Sequence, residues 1–145
     1  MSTPFRLQLP RRFLDEMVQQ ARAELPNECV GLLAGRFEET PGGRVGRVER
    51  RYSLVNAAAS PKEYLSDGDS MFAAWKDWRV HDLEVLAIYH SHPTSAPIPS
   101  RTDLERNYSP EVVNFIISLT GSEPEVRGWW LTDRDYRQAE WDCTE

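Results

Sequence analysis

His90 and His92 stand one residue apart and are followed at once by Pro93, the arrangement in this chain most readily turned to chemistry. If they end a strand, side chains at i and i+2 share one face with α-carbons ~6.6 to 6.8 Å apart. Two imidazoles so placed can converge on a single Zn²⁺ at Zn–N distances of ~2.0 to 2.1 Å. Pro93 lacks a backbone donor and turns the chain outward, leaving both rings where a protein must open to admit substrate. The same pattern also fits two polar residues at a strand terminus, so a third donor is needed to choose. Asp103 is that candidate, in the first turn of a short helix after the loop Thr94 to Pro99. The spacing Ser100-Arg-Thr-Asp103 is equally that of a helix capping box, and both readings can hold, since a cap fixes the loop that aims the ligand. Two histidines and one carboxylate make the catalytic count for zinc, leaving a fourth position to water or substrate, whereas structural sites are closed by four protein ligands. Affinity order alone does not select zinc over another divalent metal.

Hydrolysis at such a centre needs a base that is not itself a ligand, to take a proton from water and pass it to the leaving amine. Glu28 is the candidate: it precedes an apolar run, where burial would raise its pKa. It reads equally as an exposed acid at a helix-to-strand junction. Cys29 begins that apolar run and reads as a small core residue rather than a thiol nucleophile. His81 reads as a surface or helix-end residue.

The elements that must position these groups follow from periodicity. Phe13, Leu14, Met17, Val18 and Ala21 recur as one face of a helix over Arg11 to Glu24, begun at Pro10 and ended by Pro26. Cys29 to Gly35 reads as a buried strand, and Val45 to Ala57 as its hairpin partner around Pro41-Gly-Gly43. Ser66 to Asp69 offers caps for a second helix, with Met71, Phe72, Trp75 and Trp78 on one face. Leu83 to Tyr89 is a strand running into His90, and Ser100 or Thr102 caps a short helix through about Tyr108. Three strands close the chain: Val112 to Leu119, Val126 to Leu131 and Tyr136 to Trp141. Trp75, Trp78, Trp129 and Trp130 read as packing, although one of two adjacent tryptophans in a strand must face away from the other. This order makes one α/β domain, residues 1–145, with a mixed sheet.

Length and composition narrow the functional class. The 145 residues suit a single domain, and 40% hydrophobic content is enough for a core, which excludes disorder as the default. A net charge of −6 gives no electrostatic footprint for nucleic acid. Two cysteines are too few for a disulfide scaffold or a four-thiolate site and fit a reduced, cytoplasmic chain. Met1 to Pro10 lacks the apolar run of a signal peptide, and no stretch approaches the ~20 apolar residues of a membrane span.

Taken together, Glu28, His90-Ser91-His92-Pro93, the seven residues Pro93 to Pro99, and Ser100-x-x-Asp103 resemble the JAMM (MPN+) metalloprotease motif. Every motif position is present at the family spacing. Asn27-Glu28-Cys29-Val-Gly-Leu-Leu-Ala-Gly35 also resembles the family's first strand, and Val85 to His92 its motif strand, so the similarity spans about residues 5 to 141. The resemblance implies a curved mixed sheet flanked by helices, of the cytidine-deaminase-like architecture, and hydrolysis of a peptide or isopeptide bond. His90, His92 and Asp103 would hold one Zn²⁺, Glu28 would act as general base and acid, and Ser100 would donate to the oxyanion.

The length is similar to the stand-alone prokaryotic members, whose substrates are ubiquitin-like or sulfur-carrier proteins with a Gly-Gly tail, and leaves little room for the insertions that grip ubiquitin. Such a tail is expected to lie extended beside a sheet edge. The competing reading within the family is an inactive MPN scaffold that mediates assembly, and such domains lose motif residues that this chain keeps. The related nucleoside deaminases carry a His-x-Glu and Pro-Cys-x-x-Cys signature that is absent here. Oligomeric state is not legible.

Overall fold

A computed structural model describes residues 4–106 and 110–145. It opens with a strand that the periodicity did not predict, β1 (Arg6–Pro10), in which Leu7 and Leu9 are fully buried while Arg6 is exposed. Pro4 precedes this strand and Pro10 is its last residue, paired with Thr144. Helix α1 (Arg11–Ala23) follows with Pro10 as its N-cap residue, and it buries Phe13, Met17 and Ala21 with Leu14 and Val18 packed alongside. β2 (Val30–Thr40) and β3 (Gly43–Leu54) form the expected antiparallel hairpin, longer than the apolar run suggested because β2 continues into exposed, charged residues.

α2 (Gly68–Val80) is capped by the Asp67 carboxylate, which accepts from the Ser70 amide. Its inward face differs from the expected one. Ala74 is buried, with Met71 and Trp78 packed beside it, whereas Phe72 and Trp75 stand outside at 57% and 39% exposure. Met71, Ala74, Trp78, Trp75 and Phe72 together sweep an apolar arc of about 160° at 3.6 residues per turn. The sheet covers one half of it. The outer pair stack on each other with ring centroids 5.7 Å apart.

β4 (Glu84–His92) carries both histidines, and α3 (Arg101–Glu105) follows the loop. β5 (Val113–Ser118) and β6 (Glu125–Leu131) come next. The expected last strand is two, β7 (Tyr136–Gln138) and β8 (Trp141–Thr144). The expected helix end near Tyr108 lies outside the described residues.

The sheet order is β7-β6-β5-β4-β2-β3-β1-β8, with β4 parallel to β5, β1 parallel to β3 and β8, and the other neighbours antiparallel. β7 and β8 are joined through only Ala139 and Glu140 yet occupy opposite ends of this order. The Ala139 amide donates to Gly128 O, and Glu140 O accepts from the Leu7 amide. The sheet therefore curls into a half-barrel. One face, with α1 against Leu33, Tyr89, Phe115 and Trp130, holds the main core. The other buries Val30, Leu32 and Leu54 under α2. None of the described helices is long and apolar enough to cross a membrane.

Candidate metal centre and active site

Alternation along β4 sends Tyr89 and Ser91 to the α1 side, and Ile88, His90 and His92 to the other. β4 is paired on both sides through this stretch, His90 opposite Val30 of β2 and His92 opposite Ser118 of β5, so the backbone under the two rings is clamped. Gly31 makes room behind them: a Cβ there would lie 2.1 Å from Cζ of Tyr89.

The two imidazoles converge as the spacing predicts, with Nε2 of His90 and Nε2 of His92 3.2 Å apart. The Asp103 carboxylate closes the triangle, Oδ1 lying 3.2 Å from His90 Nε2 and Oδ2 3.1 Å from His92 Nε2. Asp103 also completes the capping box: its Oδ2 accepts from the Ser100 amide at 2.9 Å, and Ser100 Oγ accepts from the Asp103 amide at 3.1 Å. Cap and candidate ligand are one residue. The loop that delivers it is pinned at three successive carbonyls. Ser118 Oγ donates to Ser95 O at 2.7 Å, His92 Nδ1 bonds Ala96 O at 2.8 Å, and Trp129 Nε1 donates to Pro97 O at 2.9 Å. Trp129 and Trp130 thus divide as adjacent strand residues must, Trp130 in the main core and Trp129 behind this loop with Ile116 and Leu131.

Glu28 lies beside the cluster, 3% exposed, and its Oε1 finds no hydrogen-bond partner among the described residues. Its position is fixed through the backbone. Cys29 N donates to Ser91 Oγ at 2.8 Å and Cys29 O accepts from the Ser91 amide, which ties the residue after Glu28 to the residue between the histidines. Ser91 accordingly faces away from the cluster, as expected. Cys29 is fully buried, and burial pushes its thiol up to about 12, so it offers no thiolate. His81 caps α2, exposed and far in the fold from the triad strand's end.

Burial dominates the electrostatics. It raises the Glu28 carboxyl from 4.5 to about 8; His92 opposes this, while Asp103 and Glu63 add to it. Asp103 is also pushed up by burial, but the charge of His90 and hydrogen bonds from His90, His92 and the Ser100 amide outweigh this and hold it below the usual carboxylate range. Burial pulls His92 down, and hydrogen bonding to Asp103 and Ala96 reverses it to a net rise.

Two residues that no sequence pattern singled out complete the site. Asn56, buried, donates to Glu28 O and Glu63 O and accepts from the Ala58 and Leu65 amides, so one amide side chain straps the segment 57–66 across the entrance. Tyr64 of that strap stacks on the His90 ring. A cavity of about 460 Å³ opens beside the cluster, with His90 and Asp103 at one end and Val30, Leu32, Met71 and Ile88 among its apolar walls.

The residues fit a metal. Among the described residues, His90, His92 and Asp103 are the group of three able to hold an ion. Their facing donor atoms, 3.1 to 3.2 Å apart, match the edge of a tetrahedron of roughly 3.3 Å set by Zn–ligand distances of ~2.0 Å. Three nitrogen and oxygen donors with a carboxylate suit zinc and leave a coordination position open.

Fold and site together define a small α/β domain with a half-barrel sheet and a three-donor cluster of metal-ligand type at the mouth of a cavity. The chain belongs to the family of prokaryotic homologs of the JAB domain, whose profile matches residues 10–132. It is 32% identical over 121 residues to a Mycobacterium tuberculosis protein named CysO-cysteine peptidase, covering 83% of this chain and 79% of that one. It is 31% identical over 124 residues to a Haloferax volcanii protein named desampylase, covering 82% and 85%. A solution structure of a Desulfitobacterium hafniense protein superposes with a TM-score of 0.84 at 31% identity, over 96% of this chain and 93% of the other.

Proposed function

We propose that the protein is a zinc-dependent peptidase of the cytoplasm that hydrolyses the amide bond after the C-terminal Gly-Gly of a ubiquitin-like or sulfur-carrier protein, releasing a C-terminal cysteine, a short extension or an isopeptide-linked amine. The observation that carries this reading is the convergence of His90, His92 and Asp103 beside a buried carboxyl, Glu28, whose Oε1 has no hydrogen-bond partner among the described residues. The relatives' names support the choice of substrate.

Zn²⁺ held by Nε2 of His90 and His92 and a carboxylate oxygen of Asp103 would supply Lewis acidity to water and to the scissile carbonyl. Glu28 takes the proton of the attacking water as the new C–O bond forms. It then returns that proton to the departing nitrogen as the C–N bond breaks, leaving a Gly-Gly carboxylate and a free amine. The protonated carboxyl favoured by burial suits the second half of this cycle, and a nearby cation favours the ionised form needed for the first. Ser100 Oγ accepts from the Asp103 amide with one lone pair, which holds the hydroxyl in place while its single O–H donates to the oxygen that gains charge. The substrate tail does not extend the sheet at the site. β4 is internal, and the sheet's ends are β7, three strands away, and β8, four strands away on the other side. The tail instead lies over the face, in the cavity walled by the 57–66 strap.

Metal analysis and incubation with a Gly-Gly-Cys-tailed sulfur carrier and a ubiquitin dimer test this reading. Cleavage of the carrier, lost on chelation and in Glu28→Gln, is expected. Cleavage that survives either treatment refutes the mechanism, and full metal occupancy with no Gly-Gly substrate cut refutes the substrate.

A further inference from the structure

The two histidines of the cluster are oriented by different devices. A metal-binding histidine ordinarily donates its second ring N–H to a carbonyl, carboxylate or water, which fixes the ring and its tautomer. His92 conforms, with Nδ1 2.8 Å from Ala96 O. His90 does not: it is 1% exposed, and its Nδ1 is buried without a partner among the described residues. What His90 has instead is Tyr64, whose ring stacks on the imidazole with centroids 4.8 Å apart and planes inclined by 28°. A tyrosine on a loop would hold nothing if the loop were slack. This one is fixed on both sides, because Asn56 accepts from the Leu65 amide and donates to Glu63 O, and the same Asn56 donates to Glu28 O. A second tie runs from Glu63 to Arg106 after α3, at 3.5 Å.

We infer that Tyr64 is the positioning residue for His90: its ring face, rather than a hydrogen bond at Nδ1, sets the direction of Nε2 toward the metal. This rests on the reading of His90, His92 and Asp103 as a metal centre. Tyr64 also lines the cavity next to His90. The stack needs an aromatic face and not the phenolic hydroxyl, which separates it from any hydrogen-bonding role.

The test measures Zn²⁺ affinity by competition with a chromogenic chelator and records the visible spectrum of the Co²⁺-loaded protein, for the parent, Tyr64→Phe, Tyr64→Leu and Tyr64→Ala. Tyr64→Phe is expected to stay within about twofold of the parent with an unchanged Co²⁺ spectrum. Tyr64→Leu and Tyr64→Ala are expected to bind Zn²⁺ about 10-fold or more weakly, the usual scale for loss of a group that orients a ligand, with altered Co²⁺ bands. Tyr64→Leu keeps bulk in the strap and answers the question even if Tyr64→Ala does not fold. Leu binding metal as the parent does, or Phe failing as badly as Leu, overturns the inference. A parent that binds no divalent metal overturns the metal-centre reading and this inference with it, while normal metal binding in every variant overturns this inference alone.

Discussion

Replacing Glu28 by glutamine is expected to separate what the residue does for catalysis from what it costs the fold. The residue is 3% exposed, its Oε1 is unpartnered among the described residues, and burial moves its pKa from 4.5 to about 8. One unit of displacement corresponds to about 1.4 kcal/mol, so ionising Glu28 in the metal-free fold costs on the order of 5 kcal/mol. The sign follows from proton linkage. Between pH 4.5 and about 8 the folded chain holds a proton that the unfolded chain has released, so this group's contribution to stability is complete below the lower value and is lost as pH rises through the upper one. Glutamine keeps the shape and cannot ionise. In the presence of a chelator, Glu28→Gln is therefore expected to match the parent near pH 4.5 and to exceed it by roughly 2 to 4 kcal/mol near pH 9. The assay is urea unfolding of both proteins across that range, taking the difference so that His92 and Asp103 largely cancel. With metal present, the same variant is expected to lose about 100-fold to 10,000-fold in turnover, the span of general acid–base catalysis. A parent-minus-variant stability difference that stays flat with pH would refute the account of Glu28 as a buried proton holder.

Other substitutions probe the rest of the site. Asp103→Asn is expected to weaken metal binding by at least about 100-fold, read by chelator competition, while a purely capping role would cost only ~1 kcal/mol in a thermal melt and leave metal binding intact. Ser100→Ala is expected to retain metal and to lower kcat about 100-fold or more in a tail-cleavage assay, with ~1 kcal/mol of stability lost from the cap. Gly31→Ala forces a Cβ to 2.1 Å from Tyr89 Cζ. That ring cannot retreat, because Gln20 and Arg51 hold its hydroxyl, so a loss of about 3 kcal/mol is expected in chemical denaturation.

Much of the site was legible in the sequence because its parts are local. Two histidines at strand spacing and a carboxylate at capping-box spacing need only a strand and one helical turn to be recognised, and both form as expected. The apolar run behind Glu28 left a buried base and an exposed junction acid equally open, and the structure buries it because the strand it heads is buried. What escaped depends on contacts distant in the chain. β1 is five residues long and gains its partners at Val45 to Arg47 and Trp141 to Thr144. The break between β7 and β8 arises from closure of the sheet, which no local pattern records. The inward face of α2 could not be chosen because its apolar arc is wider than the sheet can cover. Asn56 and Tyr64 lie in a segment without periodicity, and their importance comes from where Glu28 and His90 sit, 28 and 26 residues away in sequence.

The central place of β4 in the sheet bears on how such a domain can change. Two of the three donors ride on the strand with neighbours on both sides, whereas half of the residues lining the cavity come from segments 55–67 and 93–106 at its rim. Those segments can be lengthened or exchanged without moving His90 or His92, so long as the Ser100–Asp103 cap, the three pinned carbonyls and the Tyr64 stack are kept. Selectivity for a new tail is thus open to loop grafting on a fixed strand, and a designer would leave β2, β4 and β5 untouched and vary the rim.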